Sequence, residues 1–428
     1  MPDLTHELLP RLAGRTLPGL GLWPEAVLPD YGGYSIANLT ASLAAWLGTP
    51  PFGTTPLAAE LTEPLGPDVR RVVVVLMDAL GYLRFENQLR EPGSPWVRLW
   101  QAGVLGALTS VFPSTTVAAL TSLWTGRAPG EHGLLGYEMW LREYGVVANM
   151  IKFSPMAAGD TPELLFEAGF DPAKYLAVPT LGQHLAAAGI PVHAFVQFHI
   201  TESGLSKMHL AGAKVHGFYS PADLWVNLRE HLQATAGQRQ LCWTYWPMVD
   251  TLSHYYGPVT SRVEHETAAF ARTMAEAFLE PLSPAARAGT LMVVLADHGQ
   301  VLTPNREEYN LKHNPAFTDL LHILPNGEHR ASFLHCRPGQ VEAARHYVER
   351  TWPGCFAVED QATVMASGLL GESLDRRTAS RLGELLVLSR DSAYLWWEAK
   401  PNDMLGRHGS LTRDEMLVPY LAARLDRL

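Results

Sequence analysis

Residues 71–77, RVVVVLM, constrain the fold more than any other stretch of the chain. A short, continuously apolar and β-branched run without polar alternation is the signature of a strand buried on both faces of a parallel sheet. The run ends in Asp78. In open α/β sheets ligands gather beyond the carboxyl ends of the strands, so this acid sits where chemistry is expected. The competing reading is that Asp78 caps a helix starting near Leu80. The same grammar repeats at 291–296, LMVVLA, another buried strand, which runs into Asp297, His298 and Gly299. Between the two, residues 240–246 (QLCWTYW) read as a third strand, followed by Asp250 and His254 in VDTLSHYYG. The D-x-x-x-H spacing puts a carboxylate and an imidazole one helical turn apart on one face, within reach of a single cation. A helix-surface ion pair has the same spacing.

Residues 111–126, VFPSTTVAALTSLWTG, place Ser114, Thr115 and Thr116 at the opening of an Ala/Leu-rich helix that ends near Thr125 and Gly126. Unpaired N–H groups and the helix dipole at such an N-terminus favour an alkoxide or a phosphoryl oxygen. Ser and Thr are also ordinary N-caps. Near the C-terminus, Gly406, Arg407, His408 and Gly409 set a histidine between glycines, whose small size lets the backbone approach a site closely.

In chain order, Asp78, the hydroxyl cluster, Asp250 with His254, Asp297 with His298, and His408 resemble the alkaline phosphatase superfamily. Within it, the similarity is to the type I phosphodiesterase and nucleotide pyrophosphatase branch. That resemblance implies a three-layer α/β/α fold with a mostly parallel central sheet and a smaller inserted α+β subdomain. It also implies two divalent metal ions at the carboxyl edge of the sheet. One ion would be held by Asp250, His254 and His408, the other by Asp78, Asp297, His298 and the nucleophile. Mixed Asp and His donors suit Zn2+ best, with Mn2+ the other choice. The family's hydroxyl lies nine residues before the Thr of the closing T-G, which counted back from Thr125 gives Thr116. Thr115 is the rival and Ser114 the third choice. The implied reaction is metal-dependent hydrolysis of a phosphodiester or nucleotide pyrophosphate bond through a phospho-threonine that water then releases.

The sequence also departs from that pattern. Where these enzymes carry an Asn that hydrogen-bonds the phosphoryl oxygen, this chain has Tyr137, taken here as a substrate-binding candidate. His132 and Gly133 read as structural turn residues. The sulfatase motif C/S-x-P-x-R is absent, which argues against sulfate esters, and no Arg stands beside Thr116, Arg127 being the nearest, which favours diesters over monoesters. A phosphomonoesterase or phosphonate hydrolase on the same metals is the alternative, and a non-catalytic metal-bound scaffold for an anion or a partner is a third.

The net charge of −10 and the lack of any long Lys/Arg run exclude a nucleic-acid-duplex surface built on bulk positive charge. The expected partner is a small-molecule phosphate ester, which by the resemblance includes nucleotides, without membrane attachment. Three widely spaced cysteines, Cys242, Cys336 and Cys355, read as reduced, and with no signal-peptide pattern at the start they suggest the cytoplasm. The expected organisation is an N-terminal arm and helix over 1–60, with 1–34 extended, a catalytic core over 61–300, the subdomain over 301–400 and a return to the core over 401–428. Trp243, Tyr245, Trp246, Tyr255 and Tyr256 flank the D-x-x-x-H motif and either stack a base or pack in the core. Lys207, His209 and Lys214 read as a solvated loop, and His199, His313, His322 and His329 match no motif.

Overall fold

The computed structural model describes residues 2–159, 161–176 and 178–428. Among these, a seven-stranded sheet forms the centre. Its strands are β1 (Arg71–Met77), β2 (Gly103–Thr109), β3 (Val192–Gln197), β4 (Lys214–Phe218), β5 (Gln240–Trp246), β6 (Thr290–Leu295) and β7 (Leu417–Arg424). Their order across the sheet is β2-β7-β6-β1-β5-β3-β4. Every pairing is parallel except those of β7, which runs antiparallel to both β2 and β6. All residues of β1 and β6 are buried, as their unbroken apolar sequences require of strands covered on both faces.

Helices carry the chain between parallel strands and bury one face each. The helix Pro221–Ala234, between β4 and β5, buries Leu224, Trp225, Leu228 and Leu232, a spacing that follows the helical period. The chain between β5 and β6 is α-helical over Ser261–Met274 and ends in a π-helical turn over Ala275–Leu279. No helix among the described residues is long and apolar enough to cross a membrane.

A second sheet, also of seven strands, is antiparallel throughout. Its order is Phe356–Asp360, Leu385–Ser389, Ala331–Leu334, Asn326–Glu328, Glu138–Leu141, Val146–Asn149 and Ser154–Pro155. The last three strands come from the span the sequence assigned to the catalytic core. The subdomain therefore is not confined to 301–400, and it recruits residues 138–155 through the pairing of Gly327 with Glu138. It keeps its own apolar cluster, which includes Phe317, Leu334, Val348, Trp352, Tyr394 and Trp396.

The N-terminal segment also differs from expectation. Residues 1–34 are not simply extended, because Thr5–Ala13 is a helix that buries Leu8 and Leu12. Backbone bridges from Asp3 to Leu105 and from Ser35 to Thr109 fasten this segment along β2. A buried ion pair ties the subdomain to the C-terminal return: Arg330 Nε lies 2.7 Å from Glu415 Oε1, with both side chains fully enclosed. Glu415 also accepts from the Ser410 amide at 2.9 Å and the Thr412 hydroxyl at 2.6 Å.

Candidate active site

The sequence-predicted residues converge at the carboxyl ends of β1, β5 and β6, which are neighbours in the sheet. Asp78 directly follows β1, and Asp297 and His298 follow β6 after Ala296. The helix Met248–Tyr256, entered from β5, carries Asp250 and His254. Thr116 is the first residue of the helix Thr116–Thr125, reached from β2. His408 returns from the far side of the subdomain. The return is tight: Gly409 has φ of +122°, and a Cβ there would lie 2.6 Å from the Glu328 Cβ, so only glycine fits.

The three hydroxyls separate cleanly. Thr115 is the N-cap residue, yet its side chain makes no capping bond; its hydroxyl donates to Glu328 Oε1 at 2.6 Å. The Ser114 hydroxyl donates to the Ser410 carbonyl at 2.7 Å. The Thr116 hydroxyl alone of the three faces the histidine and carboxylate cluster, with Oγ1 3.2 Å from His298 Nε2.

The histidines share one arrangement. Nδ1 of His254 faces the Gly406 carbonyl at 2.8 Å, that of His298 the Gly299 carbonyl at 3.1 Å, and that of His408 the Ser114 carbonyl at 3.0 Å. A carbonyl only accepts, so each Nδ1 carries a proton and each Nε2 is turned inward, where it offers a lone pair whenever the ring is neutral. Those lone pairs meet carboxylates. His254 Nε2 is 3.2 Å from Asp250 Oδ1, His298 Nε2 is 3.6 Å from Asp78 Oδ1 and 3.7 Å from Asp297 Oδ2, and His408 Nε2 is 3.9 Å from Asp250 Oδ1. Lone pair against carboxylate is repulsive unless a proton or a cation lies between, and a backbone-anchored Nδ1–H is the usual orienting contact of a metal-ligating histidine.

Two groups of ligand atoms, each within 4.8 Å of one another, result: Asp78, Asp297 and His298, and Asp250, His298 and His408. His298 belongs to both, whereas the sequence assigned it to one, and His254 stands beside Asp250 rather than inside the second group. The residues present fit divalent cations. Asp78 Oδ1 and Asp297 Oδ2 are buried without a hydrogen-bond partner, an arrangement that is costly for a carboxylate unless a cation compensates it. Burial, and then the charges of Asp297 and Asp250, push the Asp78 carboxyl well above its ordinary value. Burial, reinforced by His298 and His254, holds His408 well below its own. Although burial works against it, Asp250 is held low by His254 and His408.

Some partners carried no sequence signal. The Tyr245 hydroxyl donates to Asp78 Oδ2, the Gln300 amide donates to Asp250 Oδ1, and Glu328 holds Thr115. Beside Thr116 opens a cavity of about 300 Å³ whose lining includes Trp124, His209, Trp243, Tyr245 and Met248. Trp243 and Tyr245 thus border the cavity, while Trp246 packs in the core and Tyr255 and Tyr256 are exposed. His209 is not in a solvated loop. It ends the helix Gly204–His209, buried, with Nε2 2.9 Å from the Thr121 hydroxyl. His132 is likewise buried, 3.0 Å from the Ser122 hydroxyl, as a packing residue. Tyr137 is not among the residues lining the Thr116 cavity. Its hydroxyl accepts from Asn149 Nδ2 at 2.5 Å, and its amide donates to Glu328 Oε1 at 2.7 Å.

The fold is alkaline-phosphatase-like, and its clustered carboxylates and histidines could hold metal. The sequence profile of the type I phosphodiesterase / nucleotide pyrophosphatase family matches residues 72–411, and the chain belongs to that family. Among solved structures, murine ectonucleotide pyrophosphatase / phosphodiesterase 5 superposes with a TM-score of 0.60 at 15% identity, covering 82% of this chain and 87% of that one. Phosphonoacetate hydrolase from Sinorhizobium meliloti 1021 does so with a TM-score of 0.60 at 19% identity, covering 84% and 91%. Identities this low speak to the fold. No match was found among curated protein sequences.

Proposed function

We propose that this chain hydrolyses phosphodiester or nucleotide pyrophosphate bonds, with Thr116 as the nucleophile and two divalent ions, zinc before manganese, in the Asp/His cluster. The observation that carries this reading is the Thr116 hydroxyl, 3.2 Å from His298 Nε2 where the two ligand groups meet. When bound, such ions supply the Lewis-acid charge that makes a threonine hydroxyl ionisable near neutral pH and offsets the phosphoryl oxygens. Thr116 Oγ1 then forms a bond to phosphorus while the bond to the leaving oxygen breaks, and the departing group, an alcohol from a diester or a phosphate from a pyrophosphate, takes the proton that the threonine hydroxyl gave up. Water next attacks phosphorus, restores the threonine hydroxyl and releases the phosphate ester. The helix N-terminus at Thr116 presents backbone N–H groups to the phosphoryl oxygens.

The cavity beside Thr116 supports a diester substrate. None of the residues lining it is Lys or Arg, and its walls are mostly apolar or aromatic. A dianionic monoester or phosphonate would find no cationic side chain there. A diester carrying an organic or aromatic group finds ring faces on which to pack. Two relatives bracket the choice. A variant of murine ectonucleotide pyrophosphatase / phosphodiesterase 5, described as inactive with threonine replaced by alanine, was solved with AMP; phosphonoacetate hydrolase was solved with phosphonoformate. We place the substrate with the first, as a small-molecule phosphate ester, and the protein in the cytoplasm, where its three unpaired cysteines would stay reduced.

The test is a paired assay of a p-nitrophenyl phosphodiester and the corresponding monoester on zinc-reconstituted protein. The diester should be preferred, and Thr116→Ala should lower its turnover by about 10³-fold or more with metal retained, whereas Thr115→Ala keeps most activity. Undiminished turnover in Thr116→Ala would sink the assignment.

A further inference from the structure

We propose that Glu138, His329 and Glu398 form a further cation site, distinct from the Asp/His cluster, that binds a divalent ion such as zinc or manganese. One ligand atom from each lies within 4.8 Å of the other two. Two of the donors are unsatisfied. Glu138 is only 2% exposed, and while its Oε2 accepts from Trp397 Nε1 at 3.0 Å, its Oε1 has no partner. His329 Nε2 is also buried without a hydrogen bond, 3.5 Å from Glu398 Oε1. The other Glu398 oxygen, Oε2, is occupied by Lys400 Nζ at 2.9 Å, which leaves Oε1 for the site.

The donor chemistry suits a first-row divalent ion or zinc: two carboxylates and one imidazole. Burial, with Arg407 and Lys400 adding to it, holds His329 well below its ordinary value, so the ring stays neutral and keeps a lone pair to give. Its plane is fixed against Trp396 and Trp397, both with ring centroids 4.6 Å away. A cavity of about 570 Å³, bordered by Glu138, Trp397 and Glu398, provides an entry path. Burial, reinforced by the charges of Glu398 and Glu328 and opposed by the Trp397 bond, pushes the Glu138 carboxyl up to about 8, so without a cation the chain tolerates this group as a neutral acid. That is the competing state, and a cation displaces its proton.

Filling the site would steady the hydroxyl segment. Glu138 and His329 are the chain neighbours of Tyr137 and Glu328, and those two are joined by the Tyr137 amide to Glu328 Oε1, the oxygen that also holds Thr115. These ligands act by positioning and touch no reacting atom.

The experiment uses the full chain, stripped with chelator and titrated with Zn2+ or Mn2+, with bound equivalents counted by elemental analysis and tryptophan fluorescence reporting on Trp396 and Trp397. Asp78→Asn combined with Asp250→Asn takes one carboxylate from each of the two catalytic ligand groups. That background should still bind one equivalent with a fluorescence change. Adding Glu398→Gln, at a partly exposed position, or Glu138→Gln, of nearly unchanged shape, should abolish the equivalent or weaken it at least tenfold. His329→Ala is informative where circular dichroism shows it folded, and the two Glu variants decide the matter otherwise. If the background protein binds no ion, or if the added Gln variants bind it as tightly, the proposal is overturned. Because the readout is the loss of a bound ion on Glu398→Gln or Glu138→Gln and not turnover, it is independent of the phosphodiesterase reading.

Discussion

Glu328 is a single carboxylate on which two parts of the site lean. Its Oε1 takes both the Thr115 hydroxyl and the Tyr137 amide, and burial pushes its pKa from 4.5 up to about 7 despite those bonds. The sign of its contribution follows. A raised folded pKa gives stability that is full below about 4.5 and is lost as pH rises through about 7, on the order of 3 kcal/mol in all. Glu328→Gln keeps an acceptor for both donors and removes the titration. Urea denaturation of the cation-free protein between pH 5 and 8 should therefore show the wild type weakening with pH and the variant much flatter; parallel profiles would refute it. Asp78, Asp250 and Asp297 were legible because they stand at the ends of apolar runs, where a parallel sheet delivers its ligands. Tyr245, Gln300 and Glu328 were not. Their contacts to Asp78, Asp250 and Thr115 span 167, 50 and 213 residues, distances over which local pattern carries no information.

Among elements, the return segment around His408 leaves the least room. Gly409→Ala places a Cβ against Glu328 in a left-handed backbone, which costs about 1–3 kcal/mol in strain and shifts the His408 ring. We expect lower stability together with weaker metal retention, measured by urea denaturation and by zinc content after desalting; full zinc content with normal stability would show that the turn has slack. The strands β1, β5 and β6 were readable from their unbroken apolar character. The strands over 138–155 escaped notice because they are short and mixed in polarity, and their sheet partner lies near residue 327. The helix Thr5–Ala13 was hidden by Pro10, which sits inside it and disfavours a helical reading of the segment.

For the molecule as a whole, cations bound to the native cluster and not to the unfolded chain must raise stability by mass action, about 2.7 kcal/mol for each site at a hundredfold excess over its Kd. Chelation should lower Tm by several degrees, and Thr116→Ala should show the same drop, since that variant keeps the carboxylates and imidazoles. A Tm indifferent to chelator in both proteins would mean that the cluster does not hold ions in the folded state.

The position of β7 carries a consequence for how this protein is made. Its residues come after all the other strands of the central sheet, yet it lies between β2 and β6 and is hydrogen-bonded to both. At about 5–20 residues per second, β2 leaves the ribosome on the order of tens of seconds before its neighbour exists. The edge of β2 stays open through that interval, and the facing edge of β6 from its own synthesis until β7 arrives, both unpaired and so exposed to any other strand nearby. The central sheet therefore cannot close until the last strand is made, and the cluster at its edge gains His408 only moments earlier.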